Sequence, residues 1–169
     1  MPKTIEAYRI GWPWHPLVAP AWEARENAKT FKTKVGCAVW AHGRPDEQHV
    51  FAGCNIEHKF RSHCIHAEVN ALSSMVAARG VTVVPQPTPD MHILSKTDDV
   101  IRPPADSLFQ PTAYALLIVA ERDKFTPCGA CMDWIFELGG PHCWVGFQGN
   151  QEGSIEAFQA YELMPHYPC

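Results

Sequence analysis

Two short motifs, far apart in the chain, constrain the fold of these 169 residues more than any other feature. His66-Ala67-Glu68 stands near the middle of the chain, and Pro127-Cys128-Gly129-Ala130-Cys131 stands well downstream. One imidazole and two thiolates can hold a zinc ion on three sides and leave a fourth position open for water. A carboxylate two residues from the histidine can move protons on and off that water. The motifs therefore predict a catalytic zinc site that joins two distant segments, with His66, Cys128 and Cys131 as ligands and Glu68 as the catalytic acid and base.

Each motif also predicts the start of a helix. Cys128 and Cys131 are three residues apart, so a helix places them on one face. Pro127 suits the first helical turn, where the missing N–H costs nothing, and the positive end of the helix dipole favours thiolate over thiol. Gly139-Gly140 ends this helix, and a second helix is predicted directly after the histidine, from Ala67 to Arg79. We therefore expect two helix N-termini to meet at the metal.

Other uses of a Cys-x-x-Cys motif have to be weighed, because structural zinc sites and redox pairs also contain it. A structural zinc site needs a fourth protein ligand, which Cys64 or His63 could supply. A redox pair would not explain the upstream His-Ala-Glu. Because a structural site has no need of Glu68, the two motifs together favour catalytic zinc. A non-catalytic zinc domain that serves as a scaffold is the alternative from a different class.

Composition limits the partners and the compartment. The chain has a net charge of −4 and no basic cluster that would follow a phosphate backbone, so we expect no nucleic-acid partner. No apolar run approaches the length of a membrane span and the N-terminus has no apolar signal region, so we expect no membrane partner and no secretion. Seven cysteines are an odd number, and those outside the zinc motif read as reduced thiols, which indicates the cytoplasm.

The order of predicted elements is typical of one α/β domain over residues 1–169, with a mixed sheet. Residues 1–19 form an N-terminal arm whose Trp12-Pro13-Trp14-His15-Pro16 is expected to pack onto the domain or onto a neighbour, and 81–113 form a Pro-rich insertion. The insertion is either a surface excursion or oligomer contact, or a lid over the site. Besides the two motif helices, the predicted elements are a helix over 20–32, strands Val35–Trp40, His49–Cys54, Tyr114–Ala120 and Cys143–Phe147, and a closing helix Ile155–Met164.

The two motifs, together with Gly53-Cys54-Asn55-Ile56-Glu57, resemble the cytidine deaminase family, which includes nucleoside cytidine deaminases and blasticidin-S deaminases. The resemblance extends to Lys34–Val39 and to Tyr161–Pro165, and so covers most of the chain apart from the arm and the insertion. It implies a three-layer α/β/α sandwich, a zinc ion and a small nucleoside-like substrate. It also implies a homo-oligomer, either a dimer or a tetramer.

The resemblance further implies roles for individual residues. Asn55 and Glu57 would hydrogen-bond a ribose hydroxyl, and backbone groups of Ala67 and Thr126 would contact the edge of the base. Family members with three thiolate ligands commonly carry an Arg after the catalytic Glu, and here Val69 stands there, in agreement with a neutral histidine ligand. Nucleoside deaminases of the family carry an aromatic residue just before the strand that corresponds to Val35–Trp40. No aromatic residue stands directly before that strand here, and Phe31 is slightly displaced from the place.

The implied reaction is hydrolytic deamination of a cytosine nucleoside, or of a modified cytosine nucleoside, to the uracil analogue and ammonia. The alternative within the same class is a deaminase of another amino-heterocycle, either a purine base or a nucleotide. A nucleotide enzyme needs phosphate-binding cations near its pocket, and Lys59, Arg61 and Arg102 are either such cations or ordinary surface charge.

Overall fold

The structure is a computed structural model that describes residues 3–5, 11–42, 48–79, 112–123 and 125–165. Most of the predicted insertion, and Arg102 with it, lies outside the described residues. Within the described ranges, none of the helices has both the length and the apolar character that crossing a membrane requires.

Ten elements of regular structure follow one another along the described chain, with a single 3₁₀ turn at Arg61–His63. In chain order they are β1 (Lys3–Ile5), α1 (His15–Glu26), β2 (Gly36–Ala41), β3 (Val50–Cys54), α2 (Ala67–Arg79), β4 (Ala113–Val119), α3 (Gly129–Gly139), β5 (Trp144–Gln148), β6 (Ile155–Gln159) and α4 (Ala160–Leu163).

The strands form one six-stranded sheet in the order β1-β6-β5-β4-β2-β3. β4 and β5 are parallel, and every other neighbouring pair is antiparallel. The parallel pair is joined through α3, because two parallel strands need a crossover rather than a hairpin. The predicted mixed sheet is confirmed.

Helices cover both faces of this sheet, so the predicted three-layer α/β/α sandwich is confirmed. Along β4, Leu116 and Ile118 belong to the core cluster beneath α2 and α3, whereas Leu117 and Val119 belong to the cluster beneath α1. All four side chains are fully buried. A strand covered on both faces has apolar residues at every position, which is why residues 114–120 are a continuous apolar run.

The first helix is displaced from its predicted position. α1 spans His15–Glu26 instead of 20–32, so the last five residues of the predicted arm are helical. Pro16 lies in the first turn, where its missing N–H removes no helical hydrogen bond. After Glu26 the chain leaves the helix and pairs with the segment that follows β3, where the Glu57 N–H donates to the Lys29 carbonyl at 2.7 Å.

The N-terminal arm contributes a side chain to the core and a strand to the sheet. Trp14 is 4% exposed and packs in the core beneath α1, as predicted for this segment. Trp12 is 61% exposed, and its ring lies 4.9 Å from that of Tyr114. The edge strand β1, which the sequence did not predict, pairs with β6.

The predicted closing helix Ile155–Met164 is wrong for its first half. Residues Ile155–Gln159 form β6 and pair with β5, and only Ala160–Leu163 are helical. Glu, Ala, Leu and Met are common in this segment and favour a helix locally. The segment is nevertheless a strand, because Ile155 and Ala157 alternate with exposed Glu156 and are buried in the core beneath α1.

Two glycines let helices lie close to the sheet. A Cβ on Gly36 would collide with the carbonyl oxygen of Ala21 in α1. A Cβ on Gly53 would lie 2.5 Å from the backbone nitrogen of Ala71 in α2. Since α2 carries Glu68, Gly53 helps to set the depth at which this carboxyl group sits.

Candidate active site

One edge of the sheet collects the chain segments that build the site. In the sheet register, Gly36 at the start of β2 lies opposite Cys54 at the end of β3 and opposite Val119 at the end of β4. Residues just before β2 and just after β3 and β4 therefore emerge side by side. The N-termini of α2 and α3 lie at this same edge.

His66 is placed by a closed loop. Ile56 and Ile65 exchange two backbone hydrogen bonds of 2.9 Å, which close the loop 57–64 and set His66 immediately before α2. The His66 carbonyl accepts the N–H of Asn70, and the Asn70 side-chain amide donates to the Cys54 carbonyl at 2.9 Å. The start of α2 is thereby fixed to the end of β3.

The two cysteines occupy the start of α3. Cys128 is the N-cap residue, its carbonyl accepts the Met132 N–H at 2.9 Å, and Cys131 lies in the first turn. Pro127 was predicted inside the first helical turn but precedes the N-cap, so it shapes the approach to the helix instead. Gly140, with a φ of 72°, ends α3 as predicted, since this conformation costs glycine little.

The three predicted ligands form a compact triangle. His66 Nδ1 lies 3.2 Å from Cys131 Sγ and 3.4 Å from Cys128 Sγ, and the two sulfur atoms are 3.5 Å apart. Tetrahedral zinc, with Zn–S near 2.3 Å and Zn–N near 2.05 Å, separates its donor atoms by about 3.6–3.8 Å. The triangle is within a few tenths of an ångström of that geometry, so its donor atoms and its size both fit zinc.

Within the part of the chain that the structure describes, neither proposed fourth ligand joins this triangle. The Cys64 sulfur accepts the His58 N–H at 3.2 Å and donates to the His58 carbonyl at 3.5 Å. The His63 ring lies 5.3 Å from that of His58. The described donors therefore number three, and three is the number of protein ligands that a catalytic zinc site uses.

Glu68 lies on the first turn of α2 and is only 2% exposed. Burial raises the pKa of its carboxyl group, because a charged carboxylate loses hydration there. Burial also raises the pKa of the Cys131 thiol, and the neighbouring Glu68 charge adds to the effect. For Cys131, burial thus outweighs the favourable helix dipole expected from the sequence. A zinc ion bound by Cys131 would have to displace the thiol proton.

A cavity of about 590 Å³ opens beside Glu68. Its size lies in the usual range for small-molecule sites. Phe125, one of its walls, is supported by Phe147 with ring centroids 5.6 Å apart. The lining residues are Phe31, Lys32, Thr33, Val35, Asn55, Glu57, His58, Lys59, Arg61, Cys64, Ile65, His66, Ala67, Glu68, Arg122 and Phe125.

Of the other four predicted site residues, three line the cavity and one does not. Ala67, Asn55 and Glu57 line the cavity, whereas Thr126 is exposed and is not among the lining residues. The Asn55 side chain accepts the Val35 N–H at 2.8 Å and donates to the Thr33 carbonyl at 2.9 Å. Each end of this amide keeps capacity for one more hydrogen bond.

Glu57 also holds the wall of the cavity. Its Oε2 accepts the backbone N–H of Phe31 at 2.6 Å, and this bond lowers the pKa of the Glu57 carboxyl group. Arg122 Nη2 donates to the Thr33 hydroxyl at 2.7 Å. Three side chains from two other segments thus fix residues 31–35, which form one wall.

Five further residues line the cavity although the sequence did not predict them there: Lys32, Thr33, His58, Arg122 and Phe125. Their positions near strand ends could have indicated a place at the cavity, because Arg122 follows β4 closely and residues 31–33 closely precede β2. That signal becomes informative only when the register is known.

Comparison with known proteins gives the same fold and a zinc-binding region. Residues 15–147 match the family model described as the cytidine and deoxycytidylate deaminase zinc-binding region. A cytidine deaminase from Burkholderia pseudomallei has a similar structure, with a TM-score of 0.62 and 28% identity over 90% of this chain and 96% of that one. No curated protein sequence matches the chain significantly.

Two more distant structures show the fold alone. The cytidine deaminase from Mycobacterium tuberculosis has a TM-score of 0.59 and 18% identity, over 92% of this chain and 97% of that one. The cytidine deaminase from Mycobacterium leprae has a TM-score of 0.59 and 19% identity, over 92% of this chain and all 100% of that one.

Proposed function

Since this chain belongs to the cytidine deaminase family, we propose that it is a zinc-dependent hydrolase that deaminates a cytosine nucleoside, or a modified cytosine nucleoside, to the uracil analogue and ammonia. The observation that carries the proposal is the triangle of His66 Nδ1, Cys128 Sγ and Cys131 Sγ beside the buried Glu68 and an open cavity. A non-catalytic scaffold would have no use for a buried carboxyl group at such a place.

His66, Cys128 and Cys131 would hold the zinc ion. When bound, zinc supplies Lewis acidity, which lowers the pKa of a water molecule at its open position toward neutrality. The loop closed by Ile56 and Ile65 and the first turn of α3 keep the three donor atoms in place.

Glu68 carries the protons. Its carboxylate accepts a proton from the attacking water as the new C–O bond forms at C4 of the base. The same carboxyl group passes that proton to ring nitrogen N3, then takes the remaining proton from the new hydroxyl group on C4 and delivers it to the amino group. The C–N bond breaks and ammonia leaves, so water and the cytosine compound yield the uracil compound and ammonia. Burial of Glu68 keeps bulk water away from these transfers.

The substrate would be oriented by groups at the ends of β3 and α2. We assign Ala67 and Thr126 backbone groups to the edge of the base, and Asn55 and Glu57 to a ribose hydroxyl. The position of Ala67, Asn55 and Glu57 along the cavity supports these roles.

The direct test is ammonia release from a panel of cytosine, adenine and guanine bases and nucleosides, with the zinc content measured on the same preparation. We expect about one zinc per chain and turnover of at least one cytosine nucleoside. A protein that carries zinc and releases no ammonia from any cytosine compound would contradict the proposal.

Asn55→Ala and Glu57→Gln are expected to raise KM for the best nucleoside by about tenfold, because each removes or weakens a hydrogen bond to the sugar. Asn55→Ala should also lower the free energy of unfolding by about 1–3 kcal/mol, since it leaves the Val35 N–H without its partner. Kinetics and denaturant titrations on each variant measure the two effects separately.

Asn70→Ala is the matched control, because Asn70 also bonds a backbone carbonyl at this sheet edge but does not line the cavity. It should cost stability without raising KM. If Asn70→Ala and Asn55→Ala change KM equally, the sugar-binding role is wrong.

We also propose that the protein is a homo-oligomer that works in the cytoplasm. Phe31, Phe60 and Ile65, at or beside the cavity, are 72%, 57% and 42% exposed, and a second copy would cover them. The thiols of Cys37, Cys54, Cys64 and Cys143 are free, as a reducing compartment requires. Sedimentation velocity that shows only monomer at micromolar concentration would contradict the oligomer.

A further inference from the structure

Arg122 holds one wall of the cavity from outside the segment that forms this wall. Its Nη2 donates to the Thr33 hydroxyl at 2.7 Å, and both residues line the cavity. Arg122 follows β4 closely and Thr33 closely precedes β2. Since the start of β2 lies opposite the end of β4, the sheet register brings the guanidinium group to a wall residue that is 89 positions away in the sequence.

The segment that carries Arg122 is itself well held. The Arg122 N–H donates to the Ala120 carbonyl at 2.8 Å, in a tight turn directly after β4. The adjacent Glu121 carboxylate lies 3.1 Å from the guanidinium group of Arg25, which is a buried residue of α1. Arg122 therefore reaches Thr33 from a part of the chain that is fixed to the sheet and to α1.

Thr33 depends on two side chains for its place. Among the described contacts, its hydroxyl accepts from Arg122, and its carbonyl accepts the Asn55 amide N–H at 2.9 Å. It stands outside the ladder of β2, whereas Val35 accepts the backbone N–H of Asn55 at 3.1 Å. Removal of the Arg122 guanidinium group would thus leave the Asn55 amide as the described partner that holds Thr33.

The orientation of the Asn55 amide depends on the same wall. Its oxygen accepts the Val35 N–H at 2.8 Å and its nitrogen donates to the Thr33 carbonyl. Asn55 is 7% exposed, so this amide has little other freedom. A hydrogen bond weakens steeply as its angle closes, and a displaced Thr33 carbonyl would therefore turn the amide away from its present direction.

We propose that Arg122 is a positioning residue for substrate binding, which acts through Thr33 on the Asn55 amide and thereby on the sugar of the substrate. This inference rests on the proposed function, where Asn55 is assigned to a ribose hydroxyl. The bond from Glu57 to the Phe31 N–H holds the other end of the wall, so Arg122 and Glu57 fix it from two sides.

A double-mutant cycle tests whether Arg122 acts through Thr33. Arg122→Met removes the donors, and Thr33→Val removes the hydroxyl at nearly constant shape. Each should raise KM for the best cytosine nucleoside about three- to tenfold and change kcat by less than about twofold. The double variant should show the rise of one single variant, not the product of both. Arg122→Lys and Thr33→Ser, which restore a donor and a hydroxyl, should recover most of the wild-type KM.

Deoxy analogues of the nucleoside distinguish positioning of Asn55 from a general loosening of the fold. Among 2′-, 3′- and 5′-deoxycytidine, the analogue that lacks the hydroxyl bound by Asn55 is the one whose KM Asn55→Ala leaves unchanged. We expect Arg122→Met to leave KM for that same analogue unchanged. The midpoint of denaturant unfolding should be the same for Arg122→Met and the wild type.

Lys29→Met is the matched control. It makes the same chemical change at an exposed cation that is near the wall in sequence and outside the cavity lining. It should leave KM unchanged for every substrate, which would exclude loss of positive charge as the cause.

Multiplied effects in the double variant would overturn the inference, because Arg122 would then act on the substrate by a route other than Thr33. An equal rise in KM for all three deoxy analogues, or no rise with Arg122→Met, would overturn it as well. In each of these cases the wild type still deaminates a cytosine nucleoside, so the proposed function stands. A wild type that releases no ammonia from any cytosine compound would overturn the proposed function, and the inference with it.

Discussion

Replacement of Glu68 by glutamine is expected to abolish deamination and to leave zinc in place. The glutamine has nearly the same shape, and the ligand triangle does not include Glu68. General acid–base catalysis contributes about 10²–10⁴-fold to a rate. Because one carboxyl group handles every proton in the proposed cycle, the loss should lie at or beyond the upper end of that range.

Ammonia release under single-turnover conditions measures the loss, and elemental analysis measures the zinc. Glu57→Gln makes the same chemical change in the same cavity and should affect kcat far less. If Glu68→Gln retains most of the wild-type rate, Glu68 is only an acidic residue that the start of α2 stabilises, and the proposed mechanism fails.

Replacement of His66 by alanine or of Cys131 by serine is expected to remove zinc, activity and stability together. The triangle joins the starts of α2 and α3, so a bound ion would cross-link two helices that are distant in the sequence. A metal present at about a thousandfold its Kd stabilises the folded state by about 4 kcal/mol. Thermal unfolding with and without a chelator should therefore show a large shift for the wild type and almost none for either variant.

Cys64→Ser is the control that shows whether replacing any cysteine at the cavity, and not only a zinc ligand, has this effect. Cys64 lines the cavity but bonds only His58 among the described residues, so the variant should keep its zinc and its sensitivity to the chelator. Loss of zinc from Cys64→Ser would identify Cys64 as a fourth ligand. The site would then be closed and structural, and the catalytic interpretation would be wrong.

The parts of the fold that depend on local pattern were predictable from the sequence. The spacing of Cys128 and Cys131 and the apolar run at β4 are such cases. The start of α1 was predicted five residues too late, although a helix tolerates Pro16 in its first turn. The strand β6 was missed because its composition favours a helix, and only pairing with β5 and β1 decides the outcome.

The candidate site likewise contains residues that were predictable from local motifs and residues that were not. The triangle and Glu68 were found because motif spacing encodes them. Arg122 and the segment 31–35 were not, because their place at the cavity depends on which strands are neighbours and in which register. Asn55 illustrates the mixed case, since its position was predicted but its bonds to Val35 and Thr33 were not.

The sequence separation of the zinc donors affects the order in which the protein assembles. His66 and Cys131 are 65 positions apart, and their meeting depends on β2 having joined β3 on one side and β4 on the other. Contacts between such distant residues form late, since the closure of a long loop has to precede them. The polypeptide should therefore fold before it takes up zinc, and zinc uptake during refolding should lag behind the recovery of secondary structure.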